Sequence, residues 1–280
     1  MNRLDLIRTL FDQSAERYER DIVPVLAPLT ADLVAYAAPQ RSDHTLDIGT
    51  GTGLAARMVA PYVRHVVGVD ISPASLQAAR SVLTAANVHY TRADIHRLPF
   101  PAGEFSLVIA SFGLNATDPA RSLREIRRVI APDGRLVIQE WGPADALTLA
   151  LDDLLAEYAP EEPDQSLSAL REALEQHPTI WQDQFQDADD YREWLTDLGL
   201  DVEHADECAP IAIRLPSAET YLTFLLARTD RFEEVCAMDE ATHAAFHAAA
   251  RARAAEDVQP DGSLIWEPVV FRVTARKAAD

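Results

Sequence analysis

The sequence predicts an α/β fold in which a mostly parallel sheet is covered by helices on both faces. Between His44 and about Trp141, short apolar runs alternate with longer stretches whose apolar residues recur at helical spacing, and this alternation is typical of parallel sheets. A glycine-rich run, Gly49-Thr50-Gly51-Thr52-Gly53, joins the first predicted strand to the first predicted helix. Because open α/β sheets bind ligands at the carboxyl ends of their strands, this run predicts where a ligand binds.

Five strands are predicted in this region, at residues 44–48, 65–70, 88–93, 105–111 and 135–140. The helices predicted between them span residues 54–63, 75–86 and 118–130. Ser72-Pro73 and Asp118-Pro119 are typical helix starts, because a capping residue precedes a proline at the first helical position. Pro132-Asp133-Gly134 predicts a turn before the fifth strand.

The second half of the chain does not continue this alternation. Helices are predicted at residues 144–158, 165–176 and 187–198, the last one ended by Gly199. Residues 200–215 are predicted to be largely extended, residues 216–256 helical, and residues 264–277 a late strand. Pro268 predicts an edge position or a bulge for that strand, because proline cannot donate to a sheet ladder.

Composition indicates a globular chain with unevenly placed charge. The 280 residues are 48% hydrophobic and 25% charged, and the formal net charge is -20. Acidic and basic residues balance up to Glu140, so the acidic excess lies wholly in the second half. Such a surface repels phosphate backbones, which argues against a nucleic-acid partner. The nearest basic cluster is interpreted as a solvated helix face and comprises Arg121, Arg124, Arg127 and Arg128.

The sequence predicts a cytoplasmic enzyme. No apolar run approaches the roughly 20 residues needed to cross a bilayer. The first residues mix charged and apolar side chains, unlike a secretion signal. Cys208 and Cys236 match neither a zinc pattern nor a redox pair, so both are predicted to be reduced.

The glycine run favours a nucleotide-like ligand. Glycines at alternate positions let the backbone turn sharply and approach a ligand without a Cβ in the way, and the following helix offers unpaired N–H groups. The spacing disfavours a nicotinamide or flavin cofactor, because Leu54 occupies the place of the third glycine of the dinucleotide fingerprint. A tight turn that merely needs glycine is the alternative interpretation.

Together with Asp47, the glycine run resembles the acidic-x-Gly-x-Gly-x-Gly motif of class I S-adenosylmethionine-dependent methyltransferases. Further segments resemble the same family in the same order, namely residues 66–72, 93–100, 105–112 and 127–136. Residues 11–18 resemble the opening of the ubiquinone- and menaquinone-biosynthesis methyltransferases and their small-molecule relatives. The resemblance implies a Rossmann-like, seven-stranded, mostly parallel sheet. It also implies S-adenosylmethionine as the cofactor and a small-molecule acceptor that receives the methyl group by in-line transfer.

The resemblance further implies which residues hold the cofactor. Asp70, which ends the second strand, has two oxygens that can accept both ribose hydroxyl protons. Asp94 is expected to accept from the adenine amino group, with Ile71 and Ile95 flanking the ring. Tyr18 is expected to help close the methionine end. The full predicted set is Tyr18, Asp47, Gly49, Thr50, Gly51, Gly53, Asp70, Ile71, Ala93, Asp94, Ile95 and Ser111.

The acceptor and a catalytic base stay open at this stage. Residues 115–117 stand where many relatives carry a histidine or an aromatic residue, and a base is needed only if the acceptor must lose a proton. Six side chains are candidates and none is assigned: Tyr158, His177, His204, Tyr221, His243 and His247. No metal site is predicted, because His243 and His247 share a helix face but lack a third ligand. The alternatives are a non-catalytic S-adenosylmethionine-binding protein and an NAD-dependent oxidoreductase.

Six segments are predicted along the chain. Residues 1–43 form a helical segment that closes over the cofactor, and residues 44–143 form the cofactor-binding core. Residues 144–186 and 216–258 are helical inserts, residues 187–215 continue the core, and residues 259–280 supply its last strand. The two inserts are expected to form a lid over the methyl-donor end, because their apolar faces must be buried against something.

Overall fold

The computed structural model describes residues 3–82, 85–176, 185–208 and 211–277. Its strands are β1 (His44–Ile48), β2 (His65–Asp70), β3 (Val88–Arg92), β4 (Phe105–Ser111), β5 (Ile130–Trp141), β6 (Leu200–Glu207), β7 (Ile213–Leu215), β8 (Leu264–Trp266) and β9 (Val270–Lys277). Its helices are α1 (Arg3–Arg17), α2 (Val23–Tyr36), α3 (Leu54–Val59), α4 (Pro73–Val82), α5 (Pro119–Val129), α6 (Ala146–Tyr158), α7 (Gln165–Gln176), α8 (Ala188–Asp197), α9 (Ala218–Leu226), α10 (Thr229–Cys236) and α11 (Glu240–Ala255). A π-helical turn, Tyr18–Ile22, joins α1 to α2.

The main sheet has seven strands in the order β3-β2-β1-β4-β5-β9-β6. Strands β1 to β5 pair in parallel, whereas β9 runs antiparallel between β5 and β6. The predicted seven-stranded, mostly parallel sheet is therefore confirmed. The strand order reverses between β1 and β4, which opens a crevice at their carboxyl ends.

Most strands of the first half lie where the sequence predicts them. β1, β2 and β4 have the predicted bounds, and β3 ends one residue early at Arg92. β5 differs, because it begins at Ile130 directly after α5 and absorbs the predicted turn. Asp133 adopts a left-handed conformation there, with φ 60°, and the pairing with β4 shifts register at this point. The turn residues thus form a bulge within the strand.

Both predicted helix starts have the expected caps. The Ser72 hydroxyl accepts a hydrogen bond from the Ser75 N–H at 3.0 Å. The Asp118 carboxylate accepts from the Arg121 N–H at 3.1 Å, and Pro119 follows at the first helical position. These caps fix where α4 and α5 leave the carboxyl edge of the sheet.

The predicted late strand is two strands in the structure. Residues 267–269, which include Pro268, separate β8 from β9, since a proline has no N–H for a ladder. β8 pairs with β7 in a small second sheet, whereas β9 lies inside the main sheet. An edge position is therefore wrong for β9. The predicted helical block at residues 216–256 is divided into the three helices α9, α10 and α11.

The described residues form three apolar cores around the main sheet. One packs α5 and α8 against one face, through residues such as Leu123 and Leu195. A second packs α2 and α3 against the other face, around Leu33. The third joins α2, α6, α9, α11 and the β7–β8 sheet, and it reaches the crevice through Phe112 and Trp141. Within the described ranges, no helix is long and apolar enough to cross a bilayer.

Candidate cofactor site

A small cavity lies in the crevice above β1 and β4. Its volume is about 40 Å³, and its walls come from the glycine run, α2, α3 and the end of β4. The predicted cofactor residues that line it are Tyr18, Asp47, Gly49, Thr50, Gly51 and Ser111. Ligand pockets usually measure about 300–1,000 Å³, so this cavity is too small to hold a whole nucleotide.

A larger groove, of about 570 Å³, lies between α6, α7 and α10. Its walls carry two ion pairs, Asp152 with Arg231 and Arg171 with Glu234. It contains no residue of the glycine run. Six of the predicted cofactor residues line the smaller cavity, and none of them lines this groove.

Asp47 anchors the start of the glycine run. Its carboxylate is 1% exposed and accepts hydrogen bonds from the Thr50 hydroxyl at 2.5 Å and the Ala56 N–H at 3.0 Å. Burial raises the pKa of Asp47 to about 7, although these two bonds oppose the rise. Asp47 thus ties strand β1 to the first turn of α3 and shapes the loop between them.

The glycines of the run have different roles. Gly49, Gly51 and Gly53 all have positive φ angles. A Cβ on Gly49 would lie 2.6 Å from the Cα of Gly113, whereas a Cβ on Gly51 would meet only the Gly49 carbonyl at 4.0 Å. Gly49 is therefore needed where two backbones touch, and Gly51 leaves its side of the loop open to a ligand.

Gly53 faces away from the cavity. A Cβ there would overlap the Tyr90 hydroxyl and contact Ala79 at 3.1 Å. Sequence reasoning grouped Gly53 with the cofactor contacts, but the structure places it against α4 and β3. The importance of Gly113, which follows β4, was missed, because no local pattern reveals that two loops distant in sequence touch.

Asp70 ends β2 beside the glycine run. One carboxylate oxygen accepts from the Gly51 N–H at 2.8 Å, and the other accepts from the Ser72 N–H at 2.9 Å. Burial raises the pKa of Asp70, and these backbone bonds limit the rise. Each carboxylate oxygen can accept a further bond, so Asp70 is oriented for a diol.

The predicted adenine contacts lie at the carboxyl ends of β2 and β3, away from the small cavity. Ile71, Ala93 and Ile95 are partly exposed, and Ala93 donates its N–H to the Asp70 carbonyl at 3.0 Å. Asp94 is 31% exposed and lies 2.8 Å from a ring nitrogen of His96. His96 was not singled out by the sequence, where it is one of eight histidines.

The N-terminal segment is bound to the cofactor loops by polar contacts. Asp12 accepts from the hydroxyl of Ser72, two residues after Asp70, at 2.7 Å. Glu19 pairs with Arg57 at 3.1 Å, and Arg57 also donates to the Thr52 carbonyl. The segment therefore contacts both the loop after β2 and the helix that follows the glycine run.

Tyr18 lies between Asp12 and Glu19 in the sequence, and it lines the cavity. Burial raises the pKa of Tyr18 to about 12, and the Asp70 carboxylate contributes to the rise. The preceding residue, Arg17, donates to the Ala227 carbonyl at 2.9 Å and stacks 3.4 Å from the centroid of the Phe232 ring. Arg17 thus joins the N-terminal segment to the late helices.

An aromatic wall borders the other side of the cavity. Phe112 has φ 57°, an unusual conformation for a bulky residue, and its N–H donates to the Gln139 carbonyl at 2.8 Å. The Phe112 ring stacks on Trp141, with the ring centroids 4.0 Å apart. The Arg228 guanidinium lies 5.6 Å from the Trp141 ring centroid. Sequence reasoning assigned Ser111 but not this wall, since its members come from three distant segments.

Glu140, on β5, is hydrogen-bonded to the loop after β4. It is 1% exposed, and one of its oxygens accepts from the Leu114 N–H at 2.7 Å. The other oxygen has no hydrogen-bond partner among the described residues. Burial raises the pKa of Glu140 to about 8.

Five of the six base candidates lie outside the cavity lining. His204 is exposed on the edge strand β6, and His243 is exposed on α11. Tyr221 is fully buried and hydrogen-bonds Thr148 at 2.6 Å. His247 and Tyr158 flank Phe246 in the third core, and His177 lies outside the described residues. Over the described ranges, no cluster of three or more side chains is suited to a metal ion.

Comparison with known proteins identifies the family. A family profile described as a methyltransferase domain matches residues 46–138. A malonyl-[acyl-carrier protein] O-methyltransferase of Halorhodospira halophila is 40% identical over 49% of this chain and 48% of that protein. A demethylmenaquinone methyltransferase of Clavibacter sepedonicus is 32% identical over 62% of this chain and 72% of that protein. The matched part thus spans about half the length of the first relative and nearly three quarters of the second.

A solved structure shares the fold. It is a phospholethanolamine N-methyltransferase 2 of Haemonchus contortus, with a TM-score of 0.60, 15% identity, and coverage of 99% of this chain and 60% of that chain. The residues present suit the family's cofactor, because Gly51 leaves an open cradle and Asp70 is aimed beside it. From the glycine run, the strand order and these relatives, we conclude that the chain belongs to the class I S-adenosylmethionine-dependent methyltransferases.

Proposed function

We propose that this chain transfers the methyl group of S-adenosylmethionine to a small-molecule acceptor. The observation that carries the proposal is the carboxylate of Asp70, fixed by two backbone N–H groups beside an open glycine. The cofactor supplies a methyl group on a sulfonium, which is a good leaving group. The protein's contribution is therefore to position the acceptor in line and to exclude water.

Each part of the site has a proposed role toward the cofactor. Asp70 accepts from the ribose hydroxyls, and Asp94 accepts from the adenine amino group. Apolar contacts to the adenine ring come from Ile71, Ala93 and Ile95. Contacts to the methionine part come from Tyr18, Thr50, Gly51 and Ser111, which line the cavity. Asp47, Gly49 and Gly53 hold the loop in shape.

The helical inserts are proposed to cover the methyl-donor end. Helices α6, α9 and α11 share the third core with Phe112 and Trp141, and Phe112 lines the cavity. Arg17 connects the N-terminal segment to the same helices. A cover of this kind keeps water from the reacting methyl group, and its inner surface selects the acceptor.

The inner surface favours an apolar, unsaturated acceptor. The apolar side chains that line the cavity include Leu26, Leu54 and Phe112. Trp141 stacks on Phe112 in the aromatic wall, and aromatic rings offer flat faces for offset stacking. The relatives named for demethylmenaquinone and malonyl-[acyl-carrier protein] act on unlike acceptors, so the wall is the better guide to this chain. The cytoplasmic location and the lack of a nucleic-acid partner stay predictions from the sequence.

No side chain is proposed as a catalytic base. The raised pKa of Tyr18 keeps its hydroxyl protonated at neutral pH, and Tyr221 is engaged with Thr148 inside the third core. The acceptor is therefore expected to attack without losing a proton to either tyrosine.

The test is an acceptor screen with S-adenosylmethionine carrying a labelled methyl group. Quinols, phenols, acyl thioesters and amines are offered, and labelled product and demethylated cofactor are both measured. We expect transfer to a planar, apolar acceptor, and we expect Trp141→Leu to raise the acceptor KM more than the cofactor Kd. The exposed Tyr62→Leu is the matched control.

Cofactor binding without transfer to any acceptor would favour the non-catalytic alternative. Tight NAD binding without any response to S-adenosylmethionine would favour the oxidoreductase. Either result would overturn the proposal.

A further inference from the structure

The imidazole of His96 joins two parts of the site that are distant in sequence. Its side chain is 6% exposed. Nε2 accepts a hydrogen bond from the Asp118 N–H at 2.9 Å, and Nδ1 lies 2.8 Å from an oxygen of Asp94. A ring nitrogen that accepts a hydrogen bond carries no proton, so the proton of the neutral ring lies on Nδ1, the nitrogen in close contact with Asp94. The geometry of this contact is not that of an aligned hydrogen bond in the structure.

The Asp94 carboxylate meets His96 at two points. The oxygen that faces the His96 ring, Oδ1, also accepts the backbone N–H of His96 at 2.9 Å. Both contacts occupy the same oxygen, and the other oxygen accepts no hydrogen bond from the described residues. The Asp94 side chain is 31% exposed, so the second oxygen can meet an incoming N–H donor.

The other side of the ring holds the loop after β4. Asp118 caps α5 and ends the stretch of residues 112–118, which begins with Phe112 at the cavity. Within this stretch, Thr117 donates its hydroxyl to the Leu114 carbonyl at 2.7 Å. One imidazole therefore connects the carboxylate at the adenine end to the loop at the methyl-donor end.

We propose that His96 is a positioning residue that orients Asp94 toward the adenine amino group and couples adenine binding to the loop of residues 112–118. This inference rests on the proposed function, because it needs an adenine nucleoside at Asp94. The neutral ring is required, since a protonated imidazole has two donors and cannot accept from Asp118. Burial lowers the pKa of His96, Arg121 lowers it further, and the carboxylates of Asp94 and Asp118 oppose this.

Two substitutions separate the two contacts. His96→Asn places an amide near the Nδ1 position, so it keeps a donor for Asp94 and gives up Asp118. His96→Gln reaches the Nε2 position, so it keeps an acceptor for Asp118 and gives up Asp94. His89→Asn, at an exposed position on β3, is the matched control.

The probes are S-adenosylhomocysteine and S-inosylhomocysteine, in which a carbonyl replaces the amino group. Calorimetry gives the Kd of S-inosylhomocysteine divided by the Kd of S-adenosylhomocysteine, and this ratio reports the bond to Asp94. We expect His96→Gln to reduce this ratio by roughly three- to tenfold, as for loss of one oriented hydrogen bond. We expect His96→Asn and the control to keep the ratio of the parent.

Hydrogen exchange and pH report the coupling. S-adenosylhomocysteine is expected to slow amide exchange of residues 112–118 in the parent and in the His89→Asn control, but less in either His96 variant, because each variant breaks one of the two contacts that link Asp94 to the loop. In the parent, protonation of His96 at lower pH is expected to remove the acceptor for Asp118 and so to lessen the slowing of exchange, while the ratio stays unchanged.

Unchanged ratios and unchanged exchange in both variants would overturn the inference while leaving cofactor binding intact. Failure of the parent to bind S-adenosylhomocysteine would instead overturn the proposed function, and this inference with it. Each variant keeps one of the two contacts, so unfolding of both would assign His96 to the fold rather than to positioning.

Discussion

Replacing Asp70 with alanine removes the acceptor of two backbone hydrogen bonds, from Gly51 and from Ser72. Hydrogen bonds to a charged group contribute about 1.5–3 kcal/mol each when buried. Asp70 is partly exposed, so water replaces part of what is lost. We expect the free energy of unfolding to fall by about 2 kcal/mol, because the loop and the start of α4 lose their shared anchor.

Cofactor binding is expected to suffer beyond this loss of stability. The ribose hydroxyls lose a charged acceptor, which corresponds to about 1.5–3 kcal/mol, or a rise in Kd of roughly 10- to 150-fold. Asp70→Asn keeps one oxygen, so it should retain one of the two backbone hydrogen bonds. Its unfolding free energy and its cofactor Kd should lie between those of the parent and of Asp70→Ala. Urea unfolding and calorimetry with S-adenosylhomocysteine measure the two effects separately.

Asp201→Ala, at an exposed position on β6, is the control for removal of one carboxylate. It should change neither the unfolding free energy nor the Kd. If Asp70→Ala matches this control in both measurements, Asp70 neither anchors the loop nor binds the ribose, and the reasoning is refuted.

Three further predictions concern the loops and the buried acids. Gly113→Ala should lower the free energy of unfolding by about 2–3 kcal/mol, because its Cβ would overlap the Ile48 carbonyl. Gly51→Ala should lower it by only about 1–2 kcal/mol, through left-handed backbone strain. Equal losses of the two variants in urea unfolding would contradict this prediction. Burial raises the pKa of Glu140 from 4.5 to about 8, so the folded protein holds a proton that the unfolded chain releases. The free energy of unfolding should therefore fall as pH rises from about 4.5 to 8, by at most about 1.4 kcal/mol per pH unit. Glu140→Gln should lessen that fall, which urea unfolding at several pH values measures. With a pKa of about 12, the Tyr18 hydroxyl stays protonated through neutral pH. Tyr18→Phe should therefore leave the dependence of kcat on pH unchanged. If the variant loses an ionisation seen in the kcat profile of the parent, Tyr18 carries a proton in the reaction and the prediction is wrong.

Local patterns were sufficient for the elements that build the sheet. The bounds of β1, β2 and β4 follow from short apolar runs bounded by loop residues, and the caps at Ser72 and Asp118 mark their helices. The glycine run also marks the crevice, because its spacing combines a tight turn with a helix start. These features depend on residues within about one turn of each other.

Contacts between distant segments were not predictable in the same way. Gly113 is needed because its loop touches Gly49, and the stack of Phe112 on Trp141 joins the ends of β4 and β5. His96 acts through Asp118, 22 residues away. Pro268 was recognised as a ladder breaker, but the sequence alone did not reveal that the chain after it enters the middle of the sheet.

The most direct test of the account is a calorimetric titration of the intact chain with S-adenosylhomocysteine and, separately, with NAD. The account predicts saturable, one-site binding of S-adenosylhomocysteine that weakens in Asp70→Ala, together with negligible binding of NAD. Saturable binding of NAD and none of S-adenosylhomocysteine would contradict it.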